Sequence, residues 1–156
     1  MRYGEDIDFS MNVVEYGYKV GLVSETFVYH KRRNTFKSFY KQVFCSGTAR
    51  VTLALRHSGA LKLVHLLPSA LVVAIPTTIV LGITTNWLFF LVVPFWLLML
   101  IVDGSIYTRS FRTGLLCAEA GFIQIAGYGL GFITALIRRI LGREKGHIYF
   151  KTNFYK

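Results

Sequence analysis

The sequence predicts a mainly α-helical membrane protein: a short N-terminal α/β segment, an amphipathic helix lying in the membrane interface, then two or three transmembrane helices. Three observations predict it. The chain is 53% hydrophobic yet carries a net charge of +10. The two properties are segregated: from Leu63 to Val102 there is no Asp, Glu, Lys or Arg, whereas Lys31–Lys62 holds eight basic residues and no acid. Between these extremes, apolar residues recur at helical spacing with lysines off their stripe. The length of 156 residues is room for about one domain. A strongly basic balance suits nucleic acid or an anionic membrane surface. Here the basic blocks flank apolar segments, so lipid headgroups are the expected partner and nucleic acid is not. Attraction to anionic lipid is worth roughly 1 kcal/mol per Lys or Arg near the surface.

The chain divides into residues 1–33, 34–60, 61–140 and a basic tail, 141–156. In the first stretch, Asp6 or Asp8 is placed to cap a short helix on which Ile7, Met11, Val14 and Tyr18 recur near helical spacing. Gly17 follows as a C-cap, since glycine takes positive φ without penalty. Two strand-like runs come next, Lys19–Val23 and Thr26–Tyr29, separated by Ser24-Glu25. Thirty residues bury too little apolar area to offset chain entropy, so this segment reads as the last piece of a larger domain. It is polar, with no apolar h-region of a signal peptide.

Residues 34–58 read as the amphipathic helix. Phe36, Phe39, Tyr40, Val43 and Phe44 fall at i, i+3, i+4, i+7 and i+8, one apolar stripe. Lys37 and Lys41 lie off it, a pattern suited to a helix in the membrane interface. The first span is read over 63–83, because roughly twenty apolar residues cross about 30 Å of hydrocarbon. Pro68 falls in its first turns, and Pro76 near its middle should kink it. After the uncharged turn Gly82–Asn86, Trp87 suits a headgroup boundary. The second span is read over 87–102, with Pro94 inside and Asp103 ending it. The short link makes the pair an antiparallel hairpin.

Residues 114–137 are apolar more weakly, with Glu119, Gln124 and five glycines. Gly127 and Gly131 form a GxxxG pair that permits a close helix–helix partner. Glu119 is costly against lipid and should face protein or an interface. A third span is the preferred reading, a re-entrant or interfacial helix the other. The positive-inside rule puts the Lys31–Lys62 block in the cytoplasm, the Thr84–Asn86 turn outside, and Arg109 and Arg112 inside again. A third span then carries the basic tail outside, against the same rule. Cys45 and Cys117 read as free thiols, without a disulfide framework. A pore or transporter needs convergent polar groups within the membrane; only Glu119, Gln124 and His65 are available.

The sharpest chemical feature is Gly4-Glu5-Asp6-Ile7-Asp8. Three acids at a helix start are explained blandly by the macrodipole. Asp6-Ile7-Asp8 also matches an Asp-x-Asp metal pattern, but its second Asp opens a helical run instead of closing a strand. In order along the chain, Gly4–Ser10, Gly17-Tyr18, Val28–Arg33, Phe39-Tyr40-Lys41-Gln42, Gly47 and Arg50 resemble the C-terminal part of membrane-associated family 2 glycosyltransferases. The hydrophobic hairpin and Gly-rich third segment continue that resemblance. Gly127-Tyr128-Gly129 and Asn153-Phe154-Tyr155-Lys156 look like the ending of bacterial, Bacteroidetes-type members.

The resemblance implies a GT-A fold, of which residues 1–33 would be the C-terminal remnant. It also implies an activated nucleotide sugar, Mg²⁺ or Mn²⁺ in the full-length enzyme, and inversion at the anomeric carbon. The acceptor would be lipid-linked or another glycan near the inner membrane of a bacterium, the setting of cell-envelope polysaccharide synthesis, with the N-terminal segment cytoplasmic. Asp6 takes the place of the family's general base, with Glu5 and Asp8 as neighbours that orient the acceptor. A sugar hydroxyl is a poor nucleophile and gains from a positioned carboxylate; the leaving diphosphate needs positive charge. His30 is a candidate for metal or diphosphate contact, and Arg32 and Arg33 for diphosphate or headgroups. Gln42 and Arg50 loosely resemble the Gln-x-x-Arg-Trp element of processive members, but the spacing differs and no Trp follows. No Gly-rich phosphate loop and no early βαβ unit precede Glu5, so the chain reads as a C-terminal fragment, inactive alone. The alternative is a non-catalytic membrane anchor or partner subunit.

Overall fold

A computed structural model describes residues 3–30 and 34–142. Five α-helices account for most of them: α1 (Glu5–Glu15), α2 (Phe36–Arg56), α3 (Leu67–Thr84), α4 (Val92–Thr108) and α5 (Phe111–Ile140). Gly4 enters α1 in the left-handed region at φ 75°, and its carbonyl accepts from the Asp8 N–H. The expected Asp6 or Asp8 cap is therefore not made. Glu5, Asp6 and Asp8 instead fill the first turn, where negative charge meets the positive end of the helix dipole. Gly17 ends α1 as expected, at φ 82°. The Tyr18 and Gly17 N–H groups donate to the Val13 and Val14 carbonyls, a Schellman closure.

The strand-like runs Lys19–Val23 and Thr26–Tyr29 are a correction. Among the described residues there is no strand; these runs are irregular and exposed, with only the turn at Ser24-Glu25 realised. β-propensity favours a strand only when a neighbouring strand takes up its N–H and C=O groups, and none is supplied here.

Thr35 caps α2, its hydroxyl accepting from the Ser38 N–H at 3.3 Å. Val43, Gly47 and Val51, spaced four apart, are buried against α5. A Cβ at Gly47 would strike the Tyr128 carbonyl and come within 2.9 Å of the Phe132 nitrogen. One at Gly131 would strike the Phe44 carbonyl, and one at Gly127 would meet Tyr40 and Val43. The Thr48 hydroxyl reaches the Gly131 carbonyl at 3.4 Å. Numbers rise together on both helices, so α2 and α5 run side by side in the same direction. The Gly127/Gly131 face thus receives a helix of its own chain.

Among the described residues, three helical stretches are long and apolar enough to cross a membrane: Leu63–Thr84, Trp87–Thr108 and Phe111–Ile140. The first two begin with 3-10 turns, Leu63–Leu66 and Trp87–Leu91, so Pro68 and Pro94 fall in the first turn of α3 and α4. There the missing N–H has no helical partner to lose. Pro76 lies inside α3, which runs on through it. Asp103 does not end the second stretch: α4 continues to Thr108. Twenty-two residues match the hydrocarbon thickness better than sixteen, at about 1.5 Å of rise each. The Phe90 ring covers Gly82 at the hairpin turn. From there α3 and α4 spread, leaving a cavity of about 220 Å³ between them, lined by Leu71, Ile75 and Thr78, Val93 and Trp96, and Ile125 of α5.

Candidate functional site

The acidic face of α1 is tied to the far end of α2. Asp8 and Glu15 are seven residues apart, two turns, and share one side of α1. Arg56 ends α2 and His57 is its C-cap. The Arg56 guanidinium donates to Asp8 Oδ2 at 2.5 Å. His57 lies between the two acids, Nε2 at 2.9 Å from Asp8 Oδ1 and Nδ1 at 2.6 Å from Glu15 Oε1. Only the imidazolium donates from both nitrogens at once. The hydrogen bond to Glu15, then that to Asp8, raises the His57 pKa above its ordinary 6.5; burial works the other way without prevailing. The ring is 4% exposed. No residue of α1 is buried, so this polar tie is its main attachment.

The tie separates the three acids predicted as one catalytic group. Asp8 is engaged by Arg56 and His57, whereas Glu5 and Asp6 are exposed and their carboxylates meet no partner among the described residues. Asp6 contributes only its backbone carbonyl, which accepts from the Ser10 hydroxyl at 2.8 Å. His30 is exposed at the end of the irregular stretch. Arg32, Arg33 and the closing Asn153–Lys156 lie outside the described residues. Gln42 is exposed and Arg50 half-buried on α2. Gln42 lies fourteen residues before Arg56, about 21 Å along the axis, and is not brought to the acidic face. Asp8, Glu15 and His57 meet as acids on either side of a ring, and among the described residues no group of three His, Cys, Asp or Glu side chains is arranged to hold a metal ion.

Sequence reasoning missed Glu15, Arg56 and His57. A signal was present: two acids seven apart on α1, and Arg56 beside His57 at the end of the long helix that precedes the spans.

Fold and site together define a helical membrane protein with an acidic helix held at the end of an amphipathic one. Residues 2–104 match the model of glycosyl transferase family group 2. The chain belongs to that family. No curated protein and no solved structure matches it.

Proposed function

We propose that this chain forms the acceptor side and membrane anchor of an inverting glycosyltransferase that moves sugar from a nucleotide-sugar donor to a membrane-proximal acceptor. In this reading the enzyme sits in a bacterial inner membrane with α1 on the cytoplasmic side, and its product is a lipid-linked or cell-envelope glycan. Asp6 is the general base: it takes the proton of the acceptor hydroxyl as that oxygen attacks the anomeric carbon and the nucleoside diphosphate leaves on the opposite face. His30, Arg32 and Arg33 offer positive charge to the diphosphate. The observation that carries the reading is the contrast within the family-matched acidic motif. Asp8 is consumed by Arg56 and His57, while Asp6 stays exposed and unpaired among the described residues.

The test uses membranes in which the chain is joined to a nucleotide-binding half and transfers sugar from labelled nucleotide sugars, since the chain by itself is expected to be inactive. Asp6→Asn should lower transfer by about 10²–10⁴-fold, the usual worth of a general base. Asp8→Asn should loosen α1 and reduce transfer less. Transfer by Asp6→Asn at the unsubstituted rate, with the protein present at equal level, would refute the assignment.

A further inference from the structure

The hairpin of α3 and α4 has two feet, the start of α3 and the end of α4, which lie on one side of any bilayer the pair crosses. Helix α5 touches both. Near its beginning, Gly114 packs on the Ile101 carbonyl and Ser105 at the end of α4, and Gly104 packs on Cys117. Fifteen residues later, Gly129 packs on the Pro68 carbonyl and Val72 at the start of α3. A helix that runs from one foot to the other travels across the open end of the hairpin, about 22 Å between the two glycines at 1.5 Å per residue. The cavity between α3 and α4, with Ile125 on its wall, is the space such a closing bar leaves.

Two further observations agree. The second half of α5 lies along α2 through Gly127, Gly131 and Phe132. That partner carries Lys37, Lys41 and Arg50 and has the composition of a surface helix, so a helix aligned with it shares its plane. The ends of α5 are basic alike, Arg109 and Arg112 before, Arg138 and Arg139 after, and Glu119 is exposed in between. A spanning helix would send one basic end to the wrong side and set Glu119 against acyl chains. Mean hydropathy agrees, 1.6 for α5 against 2.2 for each arm of the hairpin.

We propose that α5 does not cross the membrane: α2 and α5 form a two-helix layer in the cytoplasmic headgroup region, seated on anionic lipid and closing the open end of a two-pass hairpin. The chain on both sides of the hairpin then lies in the cytoplasm, and the basic tail obeys the positive-inside rule.

The experiment places single cysteines in the full chain after Cys45→Ser and Cys117→Ala, and reads alkylation by a membrane-impermeant maleimide in vesicles of each orientation. Arg112→Cys, Leu141→Cys and Lys37→Cys should react from one side, and Thr85→Cys from the other. Glu119→Cys should react from the side of Lys37→Cys. Reaction of Leu141→Cys from the Thr85 side, from both sides or from neither overturns the proposal. Protection of Glu119→Cys from both sides overturns it independently, should the Leu141 variant fold poorly. The proposal does not rest on the sugar-transfer reading, and an inactive protein with this labelling pattern would leave it standing.

Discussion

Replacing Gly47 or Gly131 by alanine sets two effects of known size against each other. Alanine gains about 0.8–1.0 kcal/mol over glycine in a helix interior. The added methyl at Gly47 lies 2.9 Å from the Phe132 nitrogen and 3.0 Å from the Tyr128 carbonyl carbon; that at Gly131 lies 2.9 Å from the Phe44 carbonyl carbon and 3.1 Å from its Cα. Non-bonded carbons rest at about 3.5–4.0 Å. The carbonyl oxygens of Tyr128 and Phe44 lie closer still, so the helices must part by at least about 1 Å, a gap that forfeits about half or more of each neighbouring contact. The obstacle is backbone, which has no rotamer to yield, so the upper part of the 1–3 kcal/mol range for overpacking applies. The net expectation is about 1–2 kcal/mol lost for either alanine variant. The double variant should lose less than the sum, because one separation relieves both clashes. Gly121→Ala is the control: its methyl meets only the tip of Leu100, 2.8 Å away, which can turn aside. Reversible unfolding in mixed detergent micelles is the assay. Equal stability of Gly47→Ala, Gly131→Ala and the unsubstituted chain, or equal damage from Gly121→Ala, would refute the close approach of α2 and α5.

The raised pKa of His57 makes the attachment of α1 depend on pH. Its contribution is complete below the ordinary value of 6.5 and is lost as pH climbs through the raised value, so α1 amides should exchange faster as pH rises above 6.5. After correction for intrinsic exchange, a flat profile, or one that persists in His57→Gln, would contradict this. Arg109 closes α4 at φ 54°, a left-handed conformation that costs a side-chain residue about 1–2 kcal/mol. Arg109→Gly should accordingly raise stability by up to that amount in the same micelle assay. Phe90→Ala uncovers Gly82 and should destabilise the hairpin turn by about 3–5 kcal/mol were the ring fully buried; at 44% exposure, about half of that is expected.

The membrane class was legible because an uncharged stretch from Leu63 to Val102 has few alternatives, and α2 because five residues repeat on one stripe. Helix ends were legible where a single residue decides them, as at Gly17. They were misread where chemistry is ambiguous. Asp103 looks like a terminator, but a carboxylate near a helix end can face water without stopping the helix. The strand propensity of residues 19–29 was real, yet strands need partners that propensity does not supply. The GxxxG pair was read as close contact without a partner, since spacing says that a backbone may approach and not whose. Of the candidate site, the acidic motif was visible as composition. That Asp8 is tied down while Asp6 stays exposed was not, because the tie is made by Arg56 and His57, nearly fifty residues away.

The mounting of α1 and the seam between α2 and α5 answer to different solvents. Charged groups hold the first, partly open to water, where dissolved ions screen beyond about 8 Å at physiological strength and about 3 Å at 1 M. Touching main chains hold the second, and ions have nothing there to screen. Molar salt would weaken the mounting of the acidic helix, chiefly at the more open Arg56 and Glu15 carboxylate contacts, while the seam between α2 and α5 stays as it was.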